Sequence, residues 1–143
     1  MIRHAGLLAL RLGGDWRGVL IEGPSGAGKS DLALRALDAG WALVADDRTL
    51  LWTSGGRLFG RAPDTLAGLI EARGLGVLPQ AGRAYAEIGL IARCALSDEV
   101  ERSHNDAVEV ILGASVPVVR LAALEASAPA KLSRALTHLG VRP

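Results

Sequence analysis

Residues Gly23-Pro24-Ser25-Gly26-Ala27-Gly28-Lys29-Ser30 follow the pattern G-x-x-x-x-G-K-[ST] of a loop that cradles phosphate. Such a loop works through its backbone. Glycines let main-chain N–H groups converge on an anion, and the helix that opens there adds the positive end of its dipole. Gly26, Gly28 and Lys29 are therefore expected to hold the β-phosphate region of a nucleotide, with Ser30 as a magnesium ligand. Lysine occurs only twice among 16 lysines and arginines, and one of the two is Lys29. A chain that otherwise uses the planar fork of arginine keeps a compact point charge here, which fits a reach between two phosphates.

Two carboxylates, Asp46 and Asp47, are the next residues able to do chemistry. Alone, Asp-Asp after a strand reads as a solvated turn. Beside a magnesium–nucleotide loop the pair suits phosphoryl transfer, and neighbours that face opposite ways along a strand would divide the work, one toward metal and one toward an acceptor hydroxyl. In Glu71-Ala72-Arg73-Gly74-Leu75-Gly76 a carboxylate and a guanidinium share a face if the backbone is extended, and by spacing alone they read as a surface ion pair.

These residues need elements to hold them. Gly18-Val19-Leu20-Ile21 reads as a buried strand feeding the loop, and Asp31 to Leu37 as the helix leaving it, ending before Gly40. Trp41 to Ala45 reads as a further buried strand. A helix of about eleven residues rises ~16 Å, so this strand brings the chain back across the sheet, and a parallel return leaves Asp46 and Asp47 near the phosphate loop. Ala5 to Leu12 pairs with Arg17 to Glu22 around Gly13-Gly14-Asp15, and a short hairpin is expected for Thr49–Thr53 and Arg57–Phe59. Further strands are expected at 74–78, 88–96, 108–112 and 116–121, a polar loop at 97–106, and an amphipathic helix over Ala128 to Leu139. The apolar stripe of that helix, Ala128, Leu132, Ala135, Leu136 and Leu139, has two readings, the domain's own core or a neighbouring subunit. The fold class is α/β, a phosphate-loop mixed sheet with few helices, richer in hairpins than an alternating βαβ fold.

At 143 residues the chain has room for one domain with a real core, and residues 1–143 are read as a single unit. A formal charge of +1, with arginines scattered among acids, points to neither nucleic acid nor an anionic membrane surface. No run approaches membrane-spanning length and no secretory signal is present, so a cytoplasmic protein is expected. The single Cys94, in an apolar run, reads as a buried inert thiol. His4, His104 and His138 have no metal-site spacing, and Trp16, Trp41 and Trp52 read as core or turn-packing residues.

Taken in this order, the phosphate loop, Val44-Ala45-Asp46-Asp47 and Glu71-Ala72-Arg73-Gly74-Leu75-Gly76 resemble the catalytic domain of HPr kinase/phosphorylase, up to about Leu78. Ahead of them, His4-Ala5-Gly6-Leu7-Leu8 looks like the family's His-Gly-x-x-Leu first strand, which implies a place for His4 beside the active site. The resemblance implies a nucleotide-binding core similar to that of phosphoenolpyruvate carboxykinase, ATP and Mg2+ as cofactors, a serine of the carrier protein HPr as acceptor, and a hexamer. It implies that one of Asp46 and Asp47 is the general base and the other lies near the metal, without saying which is the base, and it counts Asp47 among the residues of the metal site as well. It places Glu71 at the metal site and Arg73 among the groups that order the catalytic surroundings. Beyond Leu78 the likeness thins. Val116-Pro117-Val118-Val119-Arg120 keeps part of the segment linked to the reverse, phosphorolytic reaction, so kinase action is the expected direction. The short architecture, without the N-terminal domain of long members, looks like the alphaproteobacterial form.

The expected function is thus an ATP-dependent serine kinase acting on HPr in regulation of the phosphotransferase system. Two other classes fit the same motifs: a nucleotide-sensing regulatory subunit that binds a signalling partner, and a small-molecule kinase.

Overall fold

The computed structural model describes residues 1–141. Its elements are β1 (Ile2–Arg3), β2 (Gly6–Leu12), β3 (Asp15–Glu22), α1 (Lys29–Asp38), β4 (Ala42–Ala45), β5 (Thr49–Ser54), β6 (Arg57–Arg61), β7 (Leu69–Ala72), β8 (Gly76–Pro79), β9 (Ala86–Cys94), β10 (Val108–Ile111), β11 (Ala114–Leu121) and α2 (Ala128–Leu139). Nine strands form one mixed sheet in the order β1-β5-β6-β9-β3-β2-β4, with β11 also on β9 and β10 on β11. β9 is the hinge of this arrangement. It runs parallel to β3 along one side, while its other side takes β6 antiparallel at Ala86–Glu87 and β11 parallel at Ile91–Cys94.

Strands buried on both faces must be apolar throughout, and their alternation then sorts side chains between two cores. Leu8, Val19 and Ile21 face one core with Leu32, Ala36, Leu132 and Leu136 of the two helices. Leu7, Leu20 and Ile91 face the other, which β5, β6, β10 and β11 close with Leu51, Leu58, Ile111 and Val116. The sheet thus packs helices on one side and curls onto itself on the other.

The local chemistry explains the boundaries. Gly13 and Gly14 both take left-handed φ, 57° and 97°, in the two-residue turn that sets the β2–β3 register at Leu12↔Asp15. α1 ends where Trp41 N–H donates to the Ala36 carbonyl at 3.1 Å around Gly40. α2 begins with Pro129 in its first turn and buries Ala128, Leu132 and Leu136, with Ala135 and Leu139 packed against the same core. Its apolar stripe therefore covers the domain's own interior. No helix among the described residues is long and apolar enough to cross a membrane.

Three expectations need correcting. The segment expected as a strand at 74–78 is half of a separate hairpin, β7 with β8, whose turn contains Gly74. β7 is only four residues and alternates one buried with one outward residue, too short a signal to separate from a loop. Glu71 and Arg73 do not share a strand face, because β7 ends at Ala72 and Arg73 lies in the turn; among the described residues no ion pair joins them. Finally, Leu112 leaves β10 with φ 50° and starts the turn into β11.

Candidate active site

β3 and α1 bracket the loop as the strand–loop–helix pattern requires. Ala27 N–H donates to the Pro24 carbonyl at 3.1 Å, which folds the loop tightly, and Ser25 and Gly26 lie exposed at its crest. Gly28 caps α1 with φ 93° and no side chain caps the helix; a β-carbon there would also sit 2.6 Å from Leu124 Cδ2. The first intrahelical bond is Leu32 N–H to Gly28 carbonyl, so the N–H groups of the preceding positions lack helix partners and face outward. Lys29 Nζ donates to the Gly23 carbonyl at 2.6 Å, folding its ammonium over the loop it belongs to. Cys94 is 4% exposed beneath, and burial pushes its thiol up to about 11 against the opposing pull of Lys29, so the sulfur stays protonated and inert.

β4 runs parallel to β3 with β2 between them, and its end delivers the acid pair to the loop. Lys29, Ser30, Asp46 and Asp47 line one small recess together with Gly6, Ala33 and Ala45. Its free volume, about 30 Å³, holds an ion or water rather than a nucleotide, whose bulk would lie over the exposed loop. The two acids do divide, but by a kink rather than by strand alternation. β4 stops at Ala45, and Asp47 turns into left-handed φ, 66°. Asp46 Oδ2 accepts the backbone N–H of Glu71 at 2.8 Å, while Asp47 Oδ1 contacts His4 Nε2 at 2.8 Å. Burial raises the Asp46 carboxyl above its ordinary value; the Glu71 N–H bond opposes this, and the charges of Asp47 and Glu71 add to it.

Magnesium binding asks for hard oxygens from one or two protein groups, the remainder coming from phosphate and water. The Ser30 hydroxyl and the Asp46 and Asp47 carboxylates meet that need. Among the described residues no three His, Cys, Asp or Glu side chains converge to hold a metal by themselves. Glu71 stands beside Asp46 with its side chain exposed, and Arg73 is exposed in the β7–β8 turn; neither lines the recess.

Residue patterns alone did not reveal the ion network next to the loop. Arg3 binds Glu22 at 3.0 Å and Glu109 through two bonds of 2.6 and 2.7 Å, while Arg93 bridges the same two carboxylates at 2.8 and 2.6 Å. Glu22 immediately precedes Gly23, so the network anchors the end of β3. The one available signal was a charged residue closing an otherwise apolar strand. Hydrogen bonds from Arg3, then its charge and that of Arg93, hold Glu109 below the usual carboxylate range. A depressed carboxyl stabilises the fold above its unfolded value of 4.5 and loses that contribution as pH falls through the lowered one. Glu22→Gln leaves the arginines with one carboxylate, and a loss of about 1–2 kcal/mol near neutral pH, measured by urea unfolding, is expected.

A family model described as the HPr Serine kinase C-terminal domain matches residues 14–122. HPr kinase/phosphorylase of Bordetella pertussis is 52% identical over 62 residues, and that of Mycoplasmopsis pulmonis 46% identical over 61; each match covers 43% of this chain. The matched stretch spans only 20% of the length of those relatives. The solved HPr(Ser) kinase/phosphatase from Coxiella burnetii superposes with a TM-score of 0.77 at 25% identity, covering 96% of this chain and 94% of that one. With its loop, acid pair and curled mixed sheet, the chain belongs to the HPr serine kinase C-terminal domain family.

Proposed function

We propose that this chain is an ATP-dependent serine kinase that phosphorylates an HPr-like carrier protein, with Mg2+ as its second cofactor. One observation supports the reading above all others: Lys29 and Ser30 of the phosphate loop line the same recess as Asp46 and Asp47. Bound Mg–ATP supplies the transferable phosphoryl group. The chain's part is positioning and charge neutralisation. Gly26, Gly28 and Lys29 present main-chain N–H groups, and the Lys29 ammonium exchanges the Gly23 carbonyl for phosphate oxygen. Ser30 and Asp47, with Glu71 alongside, offer oxygen to magnesium. Asp46 takes the proton of the substrate serine, a role suited to a carboxyl whose affinity for protons is already raised. His4 holds Asp47, and Arg73 helps to order the surroundings. The same reading takes the protein to be cytoplasmic and assembled with copies of itself as a hexamer, with neither nucleic acid nor membrane as partner.

Incubation with labelled ATP, Mg2+ and HPr tests the reading. Label should appear on a serine of HPr, and its absence under conditions where ATP binds overturns the assignment. Light scattering that returns a monomer overturns the hexamer. His4→Ala removes a contact between two exposed side chains, so melting should be unmoved while kcat/KM for transfer drops about tenfold.

A further inference from the structure

A cavity of about 550 Å³ opens at the start of β3, where Asp15, Trp16 and Arg17 lie, whereas the phosphate loop leaves its end. Eight residues of strand separate the two by roughly 20 Å. The chain has five aromatic residues in all, and four of them gather here. Trp16, Phe59 and Tyr85 line the cavity, and Trp52 stacks behind Phe59 with ring centroids 5.8 Å apart and planes 15° from parallel. Tyr85 closes on both at 6.3 Å and is still 52% exposed. A core built almost wholly from aliphatic side chains has no need of this cluster, and three of its four rings line the opening.

Three arginines share the lining, and they are not equivalent. Arg17 is bound to Glu87 at 2.6 Å and has a structural role. Arg57 reaches Glu87 only at 3.7 Å, too long for a hydrogen bond, and it bonds to no other side chain among the described residues. Arg83 lies over the Trp16 ring, 4.6 Å from its centroid, and no carboxylate pairs with it among the described residues. Its backbone is fixed by a 2.9 Å bond from its N–H to the Leu43 carbonyl, and its exposed guanidinium rests on the Trp16 ring at the cavity. Two guanidinium groups with donors to offer, above a wall of rings, present forked N–H groups for an oxyanion and flat apolar faces for stacking. The volume matches that of pockets for small organic ligands.

We infer that this cavity is a second ligand site, separate from the phosphate loop, that takes a small organic anion: a phosphate or carboxylate carried on a flat ring, the head bound by Arg57 and Arg83 and the ring against Trp16 and Tyr85. The inference does not depend on the kinase reading.

Calorimetric titration of the intact protein with 1-naphthyl phosphate and, separately, 1-naphthoate tests it, and the pair tells a phosphate head from a carboxylate one. At least one should bind wild type and Lys29→Ala with affinities within about twofold, while Arg57→Ala and Arg83→Gln each weaken binding about tenfold or more. Arg57 is half exposed, so Arg57→Ala keeps the test valid if Arg83→Gln unfolds; thermal melting identifies that case. Binding abolished by Lys29→Ala but kept in both arginine variants places the anion at the loop and overturns the inference. So does inorganic phosphate binding as tightly as the aryl anions, or no heat from either probe up to about 10 mM.

Discussion

Lys29→Ala is expected to lower kcat/KM for phosphoryl transfer at least ~10²-fold, because it removes the ammonium that lies against the loop from the place where negative charge develops. The same substitution leaves the Gly23 carbonyl without its 2.6 Å donor, so a purely structural collapse of the loop must be separated from a loss of charge. Lys29→Met does so, since its chain fills similar space without the ammonium: transfer should fall as far as in Lys29→Ala while melting stays near wild type. Lys29→Arg should restore little, as the planar fork is too broad for a point between two phosphates and already has its own preferred geometry. Transfer retained within tenfold in Lys29→Met would remove the ammonium from the mechanism.

The parts of this site that could be read in advance are those written in contiguous residues. The glycine loop carries its own instructions, with strand, turn and helix adjacent in the chain, and the structure places Lys29 and Ser30 accordingly. Asp46 and Asp47 were also within reach, because a strand following α1 has few ways to return across the sheet. What escaped was long-range or main-chain in origin. Glu71 touches Asp46 through its backbone N–H, a group every residue but proline possesses, so no residue type announces it. Arg3 and Glu109 are 106 positions apart, on β1 and β10, and no local pattern announces that these two strands meet. Trp52 and Phe59 meet across the β5–β6 hairpin, but Trp16 and Tyr85 join them only once β3, β6 and β9 are paired. β7 failed as a sequence signal because an isolated four-residue hairpin strand has no periodicity to accumulate.

Asp46→Asn should separate function from stability. The substitution keeps an oxygen able to accept the Glu71 N–H and nearly the same shape, but it removes the charge and the capacity to take a proton. Transfer is expected to fall about 10²–10⁴-fold, the usual cost of losing a positioned general base. Stability should move the other way. The folded state holds the Asp46 carboxyl above its unfolded value of 3.8, chiefly by burial, so the ionised form is disfavoured by folding; wild-type stability declines as pH rises from 3.8 through the raised value. Asn carries no such charge, and above that range the variant should melt at a higher temperature than wild type, while below 3.8 the two should converge. The same ionisation sets the acid limb of the wild-type rate profile, where kcat/KM falls as pH drops through the raised pKa. A rise in melting temperature without loss of transfer would assign Asp46 to strain alone and leave Asp47 as the base. A loss of both would mean that the Glu71 contact depends on the full carboxylate charge.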